Sequence, residues 1–205
     1  MPYPTDSRTC LSKLLSSNFG WNLLLALLIS GTQSLAVNHA LRFEREAVLN
    51  GEVLRTLTGH LVHLGFNHAL INAAACVVLG WLFPHAMGFR EWLITLLGSA
   101  LAISIGLTWL VPVDWYVGFS GVLHGLFVVY VLLGEMRWTW RLGLLAGLTV
   151  KLLYEVFWGA SPATEAFIGG NVIENAHWLG AVSGGLLAMG FTVHRRRVTG
   201  DVEGA

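Results

Sequence analysis

The chain has 205 residues, of which 55% are hydrophobic and 12% charged, and its formal charge at neutral pH is zero. Soluble domains carry about 25% charged residues, so this composition excludes an ordinary water-soluble globule and offers no basic surface for nucleic acid. The two cysteines, Cys10 in a polar leader and Cys76 in an apolar run, predict neither a disulfide framework nor a zinc ribbon. Nine tryptophans suit anchoring at membrane interfaces, and 24 glycines suit close packing of membrane helices.

Six apolar runs follow in order, each near the roughly 20 residues that span a bilayer. They are Phe19–Val37, Asn67–Phe83, Trp92–Val111, Phe119–Leu133, Leu142–Trp158 and Ala176–Val193. The expected fold is therefore all-α: a polytopic membrane protein, a single bundle of six transmembrane helices. Residues 1–18 form a cytoplasmic leader, 19–194 the membrane domain and 195–205 a cytoplasmic tail. The first run also has features of a cleaved signal peptide, with Arg8 and Lys13 before it and Ala36 near its end. Its core is long for that role and no clean small-x-small site follows, so a retained helix is expected.

Lysine and arginine placement sets the orientation. With the amino terminus in the cytoplasm, Arg8, Lys13, Arg90, Arg137, Arg141, Arg195, Arg196 and Arg197 all lie inside. Only Arg42, Arg45 and Arg55 fall in outside loops, and Lys151 lies within the fifth run. Both termini are expected in the cytoplasm.

In that topology the second, fourth and sixth runs begin at the outer face. His68 and Asn72 open the second, Ser120 and His124 the fourth, and His177 the sixth. Residues four apart share a helix face, so His68 stacks on Asn72 and Ser120 on His124. A lone serine in a membrane helix ordinarily bonds its own backbone or lets helices pack, and a lone histidine is ordinarily a satisfied core residue. Convergence of five polar residues at one depth favours a site instead. His39, His85 and His194 have no such company and read as interfacial.

Small residues recur on the faces needed to close that site. Gly121 and Gly125 flank Ser120, within the segment that Gly118 opens, and Gly180, Gly184 and Ala188 follow His177 at four-residue intervals. Two small-xxx-small faces in contact bring helix backbones together and would carry hydroxyl and imidazole into range.

Serine is a weak nucleophile until a base accepts its proton. His177 is the candidate base, and with no Asp or Glu in the fourth or sixth run the pair reads as a dyad. A tetrahedral oxyanion needs fixed donors, and the layout offers the Ser120 backbone N–H, the Asn72 amide and His68.

Gly-Phe-Ser120-Gly, the His68-Ala-Leu-Ile-Asn72 spacing and Ala176-His177-x-x-Gly180-x-x-x-Gly184 together resemble the rhomboid intramembrane serine proteases, over about Gly51 to Gly190. The resemblance implies a serine endopeptidase acting on membrane-anchored protein substrates within the lipid bilayer, with Asn72 and His68 as oxyanion donors. It matches Arg55 to the arginine of a Trp-Arg pair in the first outside loop, Leu54 replacing the tryptophan, and His63 to a structural loop histidine. It also makes the fifth helix the gate for substrate. Where typical members carry a tyrosine stacked on the catalytic histidine, this chain has His124. Phe-Ser-Gly-Val-Leu-His-Gly, the compact six-helix form and Lys151-Leu-Leu-Tyr-Glu155 resemble the rhombosortase branch. That branch implies a bacterial inner-membrane location with the site facing the periplasm. Its substrates are exported proteins with a carboxy-terminal tail: a Gly-Gly pair, a single membrane helix and basic residues. His124 would stack on His177 or contact substrate.

Lys151 and Glu155 lie four apart on one face of the fifth run, and ionisable groups there are functional candidates by default. Glu155 is expected either to orient the substrate peptide, with Lys151 as countercharge, or to form a self-neutralising packing pair. Two other classes compete with the protease. One is a metal or haem protein, suggested by 8 histidines and the cluster His60, His63 and His68; no His-Glu-x-x-His motif supports it. The other is a rhomboid-like binder of membrane helices that does not cut, a class that typically lacks the serine or the histidine. A transporter is disfavoured by the absence of repeated halves. No metal or organic cofactor is expected.

Overall fold

A computed structural model describes residues 16–34, 38–111 and 113–203. The leader expectations, with Arg8, Cys10 and Lys13, fall outside the described residues. Six long helices dominate: α1 (Asn18–Ser34), α5 (Phe66–Leu82), α6 (Phe89–Trp109), α7 (Ser120–Leu133), α8 (Trp138–Trp158) and α10 (Glu174–Glu203). Short elements lie between them: α2 (Asn38–Leu41), α3 (Arg45–Leu49), α4 (Arg55–Thr58) and α9 (Pro162–Ile168). Two-residue strands β1 (Phe43–Glu44) and β2 (Trp115–Tyr116) pair antiparallel, Phe43 opposite Tyr116. The molecule is a polytopic helical membrane bundle.

The helices do not cross alike. By length and composition α6 and residues Glu174–Val198 of α10 each suffice for a span, while α5 and α7 are shorter. At about 1.5 Å per residue, the 14 residues of α7 cover about 21 Å, against a hydrocarbon core of about 30 Å. The missing length is supplied by the segment from β2 to Phe119, which descends into the bundle. Irregular backbone at that depth is tolerated only where protein covers it, and Tyr116, Gly118 and Phe119 are all buried. Helix α7 is accordingly the central element, with nine buried residues between Gly121 and Val131.

Buried polar groups and glycines fix its neighbours. Asn22 on α1 donates to Cys76 O of α5 at 3.0 Å and accepts from Trp92 Nε1 of α6 at 2.8 Å and Tyr130 Oη of α7 at 3.1 Å. One side chain thus joins four helices and leaves little of its own polarity unmet. The small faces of α7 and α10 meet backbone to backbone. A Cβ on Gly180 would strike the Gly121 carbonyl oxygen, and one on Gly184 the Gly125 carbonyl oxygen. Helix α6 closes the third side, where Ser183 Oγ of α10 donates to Ser99 Oγ at 3.0 Å.

Helix α10 runs further than its apolar run, because Arg195 to Arg197 do not break a helix; it continues through the segment assigned to the tail as far as Glu203. Arg195 there pairs with Glu91 at the start of α6, 2.5 Å away. Helix α8 stands at the edge of the bundle with no buried residue, and an 89° bend separates it from α9.

The loop after α1 is held by Arg55, whose Nη1 donates to the carbonyls of His39 at 3.1 Å and Arg42 at 2.9 Å. His60 and His63 are fully buried between this loop and the bundle. His60 Nε2 donates to Ala100 O at 3.0 Å. Burial lowers His60 to a pKa of about 4 and His63 to about 3. In the unfolded chain both protonate near pH 6.5. Between that pH and about 4 the unfolded state therefore binds more protons, and stability is lost as pH falls. The melting temperature in detergent should drop steeply from pH 7 to pH 4.5, and less so in His60→Gln. Equal drops in the two proteins would refute the assignment.

Candidate active site

The starts of α5, α7 and α10 and the carboxy-terminal half of α8 enclose a cavity of about 450 Å³. His68, Asn72, Ser120, His124, Lys151, Glu155 and His177 all line it. Its apolar wall continues between α5, α7 and α8 along Val78, Phe127 and Leu148. A second cavity, of about 590 Å³ and lined in part by Asp114, Gly169 and Asn171, adjoins it along Tyr116 and Ile173.

Ser120 is the first residue of α7, so its backbone N–H has no acceptor within the helix. The preceding turn depends on Gly118, whose φ of +122° suits glycine and whose Cβ, if present, would lie 2.9 Å from His68 Nε2. Close approach at Gly118 thus seats the His68 ring beside the serine turn. Tyr116 Oη donates to Gly118 O at 2.7 Å and steadies that turn.

Ser120 Oγ lies 2.9 Å from His177 Nε2, fifty-seven residues away in sequence. The approach is possible because of the backbone contact at Gly121 and Gly180, one turn below. His177 Nδ1 lies 2.9 Å from Glu155 Oε2, and His177 and Glu155 side chains are only 7% and 10% exposed. Lys151 Nζ reaches the same carboxylate oxygen at 2.8 Å. It also lies 2.8 Å from His124 Nε2 and 3.0 Å from His177 Nδ1.

These partners fix the tautomers. His124 Nδ1 is 2.7 Å from Ser120 O and must donate to that carbonyl, so its Nε2 accepts from Lys151. His177 Nδ1 must carry hydrogen to satisfy Glu155, which leaves Nε2 free to accept from the Ser120 hydroxyl. The approach of Lys151 to His177 Nδ1 is then a contact between two donors, held by the carboxylate they share. The His124 and His177 rings stack, 4.4 Å between centroids and 17° from parallel.

On the opposite wall, His68 Nδ1 accepts from the Leu64 N–H at 3.4 Å, so Nε2 is its donor. Asn72 Nδ2 donates one hydrogen to His68 O at 2.9 Å and retains a second. His63 packs edge-on against His68 at 4.9 Å, whereas His60 sits apart, bonded to α6. Among the described residues no group of three or more His, Cys, Asp or Glu is arranged to hold a metal ion.

The expectation of a serine–histidine pair came from the fourth and sixth apolar runs, which hold no Asp or Glu; the Glu155 carboxylate that meets His177 Nδ1 comes from α8. Its only signal was the Lys151/Glu155 spacing, which marks a helix face but not what that face meets.

A helical bundle closed by glycine contacts, with polar side chains of four helices gathered at one largely apolar cavity, is that of a polytopic membrane protein. Residues 50–196 match the Rhomboid domain. Over 142 residues the chain is 30% identical to "Putative rhomboid protease YdcA" of Bacillus subtilis (strain 168), covering 69% of this chain and 68% of that one. The chain belongs to the rhomboid family.

Proposed function

We propose that this protein is an intramembrane serine endopeptidase in which Ser120 is the nucleophile and His177 its general base. The observation that carries this is the 2.9 Å contact from Ser120 Oγ to His177 Nε2, with the other ring nitrogen 2.9 Å from the Glu155 carboxylate. In that arrangement Ser120 loses its proton to His177 Nε2 as Oγ attacks a peptide carbonyl. The resulting oxyanion is met by the Ser120 N–H, the second Asn72 amide hydrogen and His68 Nε2–H, each such donor worth about 3–4 kcal/mol in the transition state. The imidazolium then protonates the leaving amine, and water, reaching the cavity from its neighbour beside Asn171, completes hydrolysis.

The substrate is a membrane-anchored protein with a single carboxy-terminal helix, cut near that helix's outer end. The apolar trough between α5 and α8 gives such a helix an apolar edge to dock against, and α8, which has no buried residue, is the element that moves to admit it. Glycine costs a helix about 1 kcal/mol relative to alanine, so a Gly-Gly pair unwinds readily and exposes its carbonyls. The rhombosortase-type tail of exported bacterial proteins has these features. The enzyme sits in the inner membrane with both termini cytoplasmic and the cavity toward the periplasm; residues 19–194 form its membrane domain, flanked by the leader and the tail.

Co-expression with tail-anchored exported proteins tests this directly. Wild type should release a shortened product that Ser120→Ala does not. Continued release by Ser120→Ala would remove the nucleophile from the scheme.

A further inference from the structure

Glu155 is a nearly buried carboxylate in a membrane helix, and its placement exceeds what charge neutralisation requires. A Lys151–Glu155 pair four apart on one helix can neutralise itself anywhere along that face. Here a single oxygen, Oε2, is shared between Lys151 at 2.8 Å and His177 Nδ1 at 2.9 Å. The other oxygen is not needed for either contact. Helix α8 has no buried residue, and its other polar ties, Arg141 to the carbonyls of Val131 and Gly134 and Lys151 to His124, go to α7 and the residue that ends it. Its polar connection to α10 therefore runs through the imidazole that faces Ser120.

Without that oxygen, His177 Nδ1 would face the Lys151 ammonium 3.0 Å away. An ammonium donates only, so it would draw the imidazole into the tautomer with hydrogen on Nε2. That nitrogen could no longer accept from Ser120. The carboxylate reverses the preference and also faces the positive charge that His177 gains when Ser120 is deprotonated. In soluble serine proteases an acid on the far imidazole nitrogen holds the tautomer in this way, and the acid itself stays ionised.

We propose that Glu155 is a positioning residue for His177, making the site a Ser120–His177–Glu155 relay, with Lys151 holding the carboxylate in place. The proposal rests on the assignment of Ser120 and His177 above. Because Glu155 comes from α8, displacement of that helix would uncouple the imidazole from its acid. The relay is complete only when α8 is seated.

The test uses purified full-length protein in detergent and a small fluorophosphonate probe. Ser120 Oγ bonds to its phosphorus, fluoride departs with the bonding electrons, and His177 takes the hydroxyl proton. Labelling rates are compared for wild type, Ser120→Ala, Glu155→Gln, Glu155→Met and the double variant Lys151→Met/Glu155→Met. Glutamine offers an oxygen to both Lys151 and His177 but no charge, so Glu155→Gln should label about 10-fold more slowly. Glu155→Met should lose on the order of 10⁴-fold, comparable with losing the triad acid in soluble enzymes. The double variant, relieved of the ammonium that draws hydrogen onto Nε2, should label faster than Glu155→Met but stay on the order of 10²-fold or more below wild type, because the acid is still missing.

Recovery of the double variant to within about 10-fold of the wild-type rate would show a merely self-neutralising pair and overturn the proposal, because loss of a triad acid costs far more than that. Unchanged labelling of the Glu155 variants, with slower cleavage of a protein substrate through KM alone, would place Glu155 on the substrate and overturn it equally. If Glu155→Met does not fold, the isosteric glutamine decides the matter by the same rate comparison. Failure of wild type to label, or labelling of Ser120→Ala at the wild-type rate, would instead bring down the Ser120/His177 assignment itself.

Discussion

His177→Ala is expected to lower the cleavage rate by on the order of 10⁶-fold while the bundle stays folded. Losses of that size accompany removal of either the nucleophile or its base from a serine protease. Here alanine leaves Ser120 with no acceptor at 2.9 Å, and the hydroxyl must attack with its proton still attached. Folding survives because Lys151 and Glu155 continue to neutralise each other at 2.8 Å and the Gly180 contact is untouched. The double variant Ser120→Ala/His177→Ala should be no slower than either single one, since the two groups act as one unit. Single-turnover cleavage in proteoliposomes, with melting temperature as the folding control, measures all three. A His177→Ala rate above about a hundredth of wild type would show that another base serves Ser120, because one lost base contributes far more than that.

Gly180→Ala should have the second-largest effect, on stability and activity together. The added methyl would overlap the Gly121 carbonyl oxygen, with the rest of that peptide also in the way. Both sides of the clash are helix backbone, so no side chain can rotate aside. The helices must separate, at a cost at or above the upper end of the roughly 1–3 kcal/mol typical of overpacking. Separation here also moves His177 away from Ser120, one turn along the same faces. Gly185 on α10 has nothing within 4 Å of its Cβ position, and Gly185→Ala is the matched control. We expect the melting temperature of Gly180→Ala to fall by several degrees and cleavage to become undetectable, with Gly185→Ala close to wild type. Equal behaviour of the two variants would contradict the backbone contact.

Much of the architecture was legible along the chain because the bilayer imposes a length and a polarity on each crossing. The six apolar runs correspond to the six long helices within a few residues at most ends, and the four-residue glycine spacings marked the faces on which α7 and α10 meet. The boundaries missed were those that polarity does not announce. Arg195 to Arg197 read as a tail, yet they extend α10, since arginine is a good helix former. The short helices and strand β1 between α1 and α5, and strand β2 between α6 and α7, carry no periodic signal long enough to detect.

The site was partly legible for a different reason. Ser120, His177, Asn72 and His68 stand out as polar groups at the beginnings of apolar runs, and alternating crossings put those beginnings at one depth. Glu155 was visible only as the partner of Lys151, four residues away on its own helix. Its contact with His177 depends on how α8 is rotated against α10, and nothing in the local pattern encodes that rotation.

A helical membrane architecture, the place of the polar groups at the beginnings of apolar runs and the glycine faces were thus legible in the sequence alone, because each follows from hydrophobic length, polarity or residue size. The tertiary structure alone decided which nitrogen of His177 faces the hydroxyl, which acid faces the other, and which oxygen Lys151 shares. Those are angular choices of side chains contributed by three separate helices. Such choices are fixed only when packing sets the helix rotations and every buried donor must find its acceptor.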